Sequence, residues 1–325
     1  MKARLTNINF INPIQIQIQQ VEERMRAHTN GYLIELGEAI DHLLTSGGKR
    51  IRPAVALLTG GMLGGNPERL VALGASIELL HTATLVHDDL IDGSLMRRGI
   101  ETLNAKWSPA ATVLTGDFIF AQAAKLAAET ESVILMKLFA RTLATIVNGE
   151  LAQFFSMRKL ANRNDYYQRI YAKTASLFEL ATQAAAYLSP VGSEVVESVR
   201  QLGYDIGMAF QIVDDILDFT GEQATIGKPV ASDLRQGLIT LPTLLFMEIY
   251  PNNSEIEKII QNNSSSAEDF DRLIESIRAS GVIDKAKEEA GRFVDNARLI
   301  LTAQPASPER DALEELATYI INRSL

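Results

Sequence analysis

Residues 76–100, SIELLHTATLVHDDLIDGSLMRRGI, read as a mostly apolar helix that ends in a concentration of charge. Asp88 and Asp92 stand four apart, so on an α-helix both carboxylates lie on one face with roughly 6 Å of rise between them. Asp89 is beside them. Like charges at that spacing repel unless a cation joins them, and hard oxygen donors suit Mg²⁺, which takes one or two carboxylates plus substrate phosphate oxygens. Arg97 and Arg98 follow within two turns, and a pair of guanidiniums would meet such a phosphate directly. An acidic helix end followed by basic residues is more often a solvated terminus, but a second copy changes that weighing. Residues 203–219, GYDIGMAFQIVDDILDF, are again an apolar helical run closing on Asp214, Asp215 and Asp218. The flanking residues of both copies are those of buried helices. Two such clusters suit a cage for several divalent ions around a polyanion.

Candidate phosphate-binding cations lie elsewhere in the chain. Gly47-Gly48 interrupts a helix and leads into Lys49-Arg50-Ile51-Arg52-Pro53 before the next apolar helix. Glycines let backbone approach a ligand, and cations beside a helix start form an anion site; the plainer reading is a turn with solvated side chains. His81 lies two turns before Asp88 on nearly the same face, although a lone histidine in an apolar helix is more often a hydrogen-bonded core residue. His87 is read either as a packing residue or as one that supports a neighbouring ligand, and His28 and His42 carry no signal. Lys173-Thr174 falls on an amphipathic helix and Lys228 in a Gly-Lys-Pro loop, where exposed lysines are ordinary. Polar Asn148, Gly149, Glu150 and Gln153 interrupt an apolar stripe.

In this combination the chain resembles the trans-isoprenyl diphosphate synthases, or polyprenyl synthetases. The landmarks are His87-Asp88-Asp89-Leu90-Ile91-Asp92 with Arg97-Arg98-Gly99, Asp214-Asp215-Ile216-Leu217-Asp218, the Gly47–Pro53 segment, Lys173-Thr174, Gln211 and Gly227-Lys228-Pro229, in order over roughly residues 40–245. The resemblance implies Mg²⁺, several ions per site, held by Asp88, Asp92, Asp214 and Asp218. It implies isopentenyl diphosphate on Lys49, Arg52, His81 and Arg98, and an allylic diphosphate on Arg97, Lys173, Thr174, Gln211 and Lys228. Asp88, Asp92, Arg97, Lys173, Asp214 and Lys228 would carry catalysis, and Asp89 and Asp215 would act through water or through neighbouring ligands. One position departs from the family: many relatives carry a lysine just before the Thr-Leu-Pro at 240–242, where Leu238-Ile239 stand here.

Product length in such enzymes follows from what blocks an apolar tunnel beneath the first cluster. Ala83 and Thr84, five and four positions before Asp88, are small, and Leu80 and Ile77 below them are modest; Ile77 lies about 16 Å down the helix. The resemblance then implies a long all-trans product, octaprenyl to decaprenyl, as used for quinone side chains. A floor through Phe118, Phe120, Leu138 or Phe139 would shorten it to farnesyl or geranylgeranyl. A terpene cyclase would share an acidic helix end but would not need a second diphosphate site, and a non-catalytic partner subunit should have lost aspartates.

These residues need a helical frame. The pattern predicts helices over 8–30, 31–46, 106–130, 132–158, 267–279, 282–303 and 308–323. Asn12 is the expected N-cap and Pro13 the expected first residue of the first of them. Gly116-Asp117 reads as a close-packed turn, and Asn164-Asp165 as the cap of the helix bearing Lys173. With no solenoid repeat and no strand-rich segment, the expected fold is all-α, one helical bundle over 1–325 around a central apolar cavity. A 46% hydrophobic fraction and 6% aromatics agree with such an interior. A charge of −9 argues against nucleic-acid binding. The absence of cysteine excludes disulfides, thiolate catalysis and zinc-thiolate sites. No signal peptide or run of about 18 uncharged apolar residues is evident, so a cytoplasmic enzyme is expected. A homodimer is expected from the resemblance, with a heteromer as the alternative.

Overall fold

The structure, a computed structural model, describes residues 9–29, 33–45, 48–97, 99–156, 162–221, 230–251, 253, 256 and 266–323. Gly47, Arg98, Gly227, Lys228 and Pro229 lie outside them. Among the described residues the fold is all-α apart from a two-residue antiparallel pair, β1 (Met96–Arg97) with β2 (Ile100–Glu101). The chain divides into two compact units, one of residues 1–142, 177–203 and 300–316, the other of 143–176, 204–299 and 317–325.

The first unit is built on α4 (Pro67–Ile91), which packs against α1 (Gln15–Thr29), α3 (Ile51–Met62) and α6 (Pro109–Ala128). Its start is fixed locally: Asn66 Oδ1 accepts the N–H groups of Glu68 and Arg69 at 3.0 and 3.2 Å, with Pro67 at the first helical position. Every residue from Leu70 to Leu80 is buried. Small residues allow the neighbours that close, and the buried Ser76 hydroxyl donates to the Ala123 carbonyl of α6 at 2.8 Å. This helix is long and apolar enough by length and composition to cross a membrane, although Glu78 interrupts its apolar run, and 78% of its apolar window is buried inside the protein. The helical reading of the N-terminal segment holds, with Ile14, Ile18, Val21 and Met25 at most 2% exposed. The expected cap does not: Asn12 and Pro13 belong to a 3₁₀ turn (Asn9–Ile14), and α1 begins at Gln15.

Helix α7 (Val133–Ser156) and helix α10 (Ser193–Thr220) contribute residues to both units. Helix α8 (Arg163–Ile170), in the second unit, passes through a π-helical turn, Tyr171–Ala175, into α9 (Ser176–Tyr187), which belongs to the first unit from Leu177 onward. The cap of α8 is Asn162, not Asn164-Asp165: Asn162 Oδ1 accepts the Asp165 N–H at 3.0 Å, and Asp165 returns the bond to the Asn162 N–H at 3.4 Å. Asp165 is thus the third-position partner of a capping box. After a short α11 (Ser232–Arg235) come α12 (Leu241–Ile249), α13 (Ala267–Ala279), α14 (Val282–Thr302) and α15 (Pro308–Asn322), the last three close to expectation.

Candidate active site

The first acidic cluster forms where α4 runs out. Past the buried stretch a stripe opens along one face: His81, Thr84, Leu85 and Asp88 are half-buried and Asp92 is exposed, while Ala83 and Val86 stay buried. At 100° per residue these five share a face. Asp92 ends the helix, its N–H donating to the Asp88 carbonyl at 2.8 Å. Asp89 faces inward instead and is clasped by Arg97, whose Nε stands 2.9 Å from both carboxylate oxygens and whose Nη2 is 2.8 Å from Oδ1. Arg97 is carried by β1, so the small hairpin fixes where this cation stands. Of the four positions expected to limit product length, Ile77, Leu80 and Ala83 are fully buried, and only Thr84 lies on the open stripe, its hydroxyl donating to the His81 carbonyl at 2.7 Å.

His87 packs, as expected: its Nε2 is 3.2 Å from the Val113 carbonyl and its ring centroid 5.3 Å from that of Phe120. Gly116 makes the room. It lies inside α6 rather than in a turn, and a Cβ there would stand 2.1 Å from His87 Nε2. In the cationic segment Arg52 Nη1 donates to His81 Nε2 at 3.1 Å, and its guanidinium stands 5.1 Å from the Phe178 ring centroid. An arginine can only donate, so His81 accepts through Nε2 and is neutral with its proton on Nδ1. Lys49 is exposed. Arg50 turns inward from a left-handed backbone (φ 50°) onto Glu22 at 2.9 Å, Glu78 at 2.8 Å and the Leu44 carbonyl at 2.9 Å, and so serves the core.

On α10 the pattern repeats: Gln211, Asp214 and Asp218 are half-buried on one stripe, and Asp215 faces inward. Asp215 accepts the Tyr166 hydroxyl at 2.7 Å and the Gln211 amide at 2.8 Å, and Thr174 donates to Gln211 Oε1 at 2.5 Å. Thr174 and Gln211, expected on substrate, are therefore joined in a chain that ends on a buried acid. Burial pushes the Asp215 carboxyl up to about 7, the charge of Asp233 adding to this and the Gln211, Tyr166 and Arg169 contacts opposing it. Burial likewise raises the Tyr166 phenol well above its usual range, with the Asp215 charge adding to it. Asp218 accepts the Ser232 N–H at 3.1 Å and its hydroxyl at 2.9 Å, fastening the start of α11. Lys173, in the π-helical turn, pairs with Glu150 at 3.0 Å.

One partner comes from the far end of the chain. Arg323, near the C-terminus, is 9% exposed, stacks 3.9 Å from the Phe210 ring centroid and pairs with Asp214 at 2.7 Å. Nothing local announces this pairing, because the residues are over a hundred positions apart. Electrostatics does suggest a need for some cation, since both acidic clusters close the C-terminal ends of long helices, where the macrodipole is already negative. Among the described residues no three acidic or imidazole groups converge into an all-protein metal cage. Mg²⁺ does not require one, since one or two carboxylates with substrate phosphates suffice. Asp88, Asp92 and Asp214 fit that mode, whereas Asp218 has fewer open lone pairs.

The polyprenyl synthetase family profile matches residues 34–277, three quarters of the chain and both acidic clusters. The chain belongs to this family. It is therefore a prenyltransferase with the all-α isoprenoid synthase fold. The octaprenyl diphosphate synthase of Haemophilus influenzae is 34% identical over 94% of both chains. The heptaprenyl diphosphate synthase component 2 of Geobacillus stearothermophilus is 34% identical over 93% of this chain and 94% of its own. A polyprenyl synthase of Caulobacter crescentus, solved with calcium and isoprenyl diphosphate, superposes with a TM-score of 0.93 at 32% identity, covering 99% of this chain and all of that one.

Proposed function

We propose that this polyprenyl synthetase extends an allylic diphosphate with isopentenyl diphosphate, head to tail, to a long all-trans product of octaprenyl to decaprenyl length. The observation that carries the reading is the stripe on α4, where His81, Thr84, Leu85 and Asp88 lie along one partly accessible face just past the fully buried stretch Leu70–Leu80. It sets Thr84 and Leu85, small and aliphatic, directly below the carboxylate, with His81 a turn further down.

Asp88 and Asp92 at the end of α4, and Asp214 on α10, would hold Mg²⁺, with Asp218 contributing through its fastening of α11. When bound, the metal would supply positive charge to offset the negative charge on a departing diphosphate. Lys173 and Arg97 add cationic contacts to the same leaving group, Lys228 joins them, and Asp89 keeps the Arg97 guanidinium oriented. The allylic C–O bond breaks, and the double bond of isopentenyl diphosphate, held by Lys49, Arg52 and Arg98, attacks the cation. The proton lost from the new unit goes to the released diphosphate. Neutral His81 accepts from Arg52 and keeps that guanidinium aimed. The family and the burial of α4 support a soluble, cytoplasmic enzyme.

Purified protein incubated with Mg²⁺, farnesyl diphosphate and labelled isopentenyl diphosphate tests this directly. Chromatography should resolve octaprenyl to decaprenyl products, and exclusive farnesyl or geranylgeranyl diphosphate would refute the length. Asp88→Asn and Asp214→Asn should each lower kcat at least about a hundredfold, since each removes charge that binds the metal acting on the transition state. Unchanged turnover in either would remove that residue from the chemistry.

We further propose a homodimer. Val147, Leu151, Phe154 and Phe155 on α7 are 47, 50, 61 and 72% exposed, an apolar stripe of helical period that water disfavours.

A further inference from the structure

We propose that Glu150 is a positioning residue that aims Lys173, and that Gly149 and the π-helical turn exist to bring the two together. The proposal rests on the reading of Lys173 as a ligand of the allylic diphosphate. Lys173 Nζ is 3.0 Å from Glu150 Oε1, with the two side chains 38% and 23% exposed. Partly exposed ion pairs contribute little to stability, so stability is a weak reason to build one here.

The construction around the pair is costly. A Cβ on Gly149 would stand 2.5 Å from Ala172 Cβ, so only glycine lets α7 approach the Tyr171–Ala175 turn this closely. A π-helical turn is rare, is frequent at functional sites, and re-aims the residues it contains. Here it directs the neighbours Lys173 and Thr174 to separate tasks, with Thr174 donating to Gln211 and Lys173 reaching across to Glu150. A lysine has four rotatable bonds and its ammonium is a point charge, so without a fixed partner it spreads over many rotamers. Glu150 restricts that spread before substrate arrives.

A positioning role depends on reach rather than on charge, and this separates three variants. Glu150→Gln keeps the length and an oxygen acceptor but drops the charge. Glu150→Asp keeps the charge but is one methylene too short. Glu150→Ala loses both. Glu150→Ala and Glu150→Asp should lower kcat/KM for the allylic substrate about tenfold, the scale of a misplaced catalytic contact, with KM for isopentenyl diphosphate unchanged. Glu150→Gln should recover most of that loss. The opposite order, with Asp near the natural enzyme and Gln impaired, would overturn positioning in favour of a charge effect.

Lys173→Ala completes the cycle. Glu150→Ala should have no further effect in its background, and independent multiplication of the two losses would overturn the proposal. If Lys173→Ala leaves the allylic KM and kcat unchanged, the reading of Lys173 itself fails, whatever Glu150 does. Thermal melting of each variant checks folding, and Glu150→Gln carries the test if the shorter side chains melt early.

Discussion

At the scale of single residues, each acidic motif splits into outward and inward members. Asp88 and Asp214 lie on open stripes, while their immediate neighbours Asp89 and Asp215 are buried and hydrogen-bonded. Adjacent helical residues point 100° apart, so the doublet cannot present both carboxylates to one ligand. Asp89 is met by a full guanidinium. Asp215 receives only neutral donors, and its folded pKa of about 7 lies above the unfolded value of 3.8. The sign follows from linkage: the protonated form is favoured by folding, so this contribution is fully present below pH 3.8 and is lost as pH rises through about 7. Asp215→Asn removes the dependence at a roughly constant cost in hydrogen bonding. In metal-free protein the stability of Asp215→Asn relative to the natural chain should therefore climb with pH between about 4 and 7, by up to about 1.4 kcal/mol per unit, and then level off. Urea unfolding with chelator present measures it, and parallel curves across that range would count against a raised carboxyl.

At the scale of elements, what could be read in advance was what local periodicity encodes. The Asp88/Asp92 spacing placed two carboxylates at the end of α4, and the three C-terminal helices fell close to their expected bounds. Contacts that depend on distant segments were hidden. The π-helical turn has no composition of its own, and Gly116 read as a turn because its reason is His87 on another helix. That contact makes a prediction. Gly116→Ala drives a methyl into the imidazole ring, which is held by the Val113 carbonyl and by Phe120, so overpacking should cost about 1–3 kcal/mol. The strain falls on the residue before Asp88, so activity should drop along with the melting temperature. His87→Ala opens the same space, and the double variant should regain part of the stability lost by Gly116→Ala. Strictly additive losses would place the clash elsewhere.

At the scale of the whole molecule, composition told the class and the motifs told the chemistry, but neither told what covers the surface. Charge of −9 and an Ala/Leu/Ile-rich interior fit many helical enzymes. The aromatic end of α7 is harder to leave bare: Phe154 and Phe155 meet edge to face with centroids 5.6 Å apart, and with Val147 and Leu151 they continue an exposed line along the helix. An interface between stable partners buries about 800 Å² on each, more than these four side chains supply, so a partner must engage neighbouring surface as well. A second copy satisfies this because a two-fold contact doubles every apolar group it uses. Light scattering on the purified chain should give twice the 35.7 kDa of one chain. Leu151→Glu combined with Phe155→Glu should shift it toward one, because a buried unpaired carboxylate costs several kcal/mol. A natural chain that is monomeric alone and doubles in mass only with a different protein would instead make this the catalytic member of a heteromer, as the name of the Geobacillus relative indicates for that enzyme.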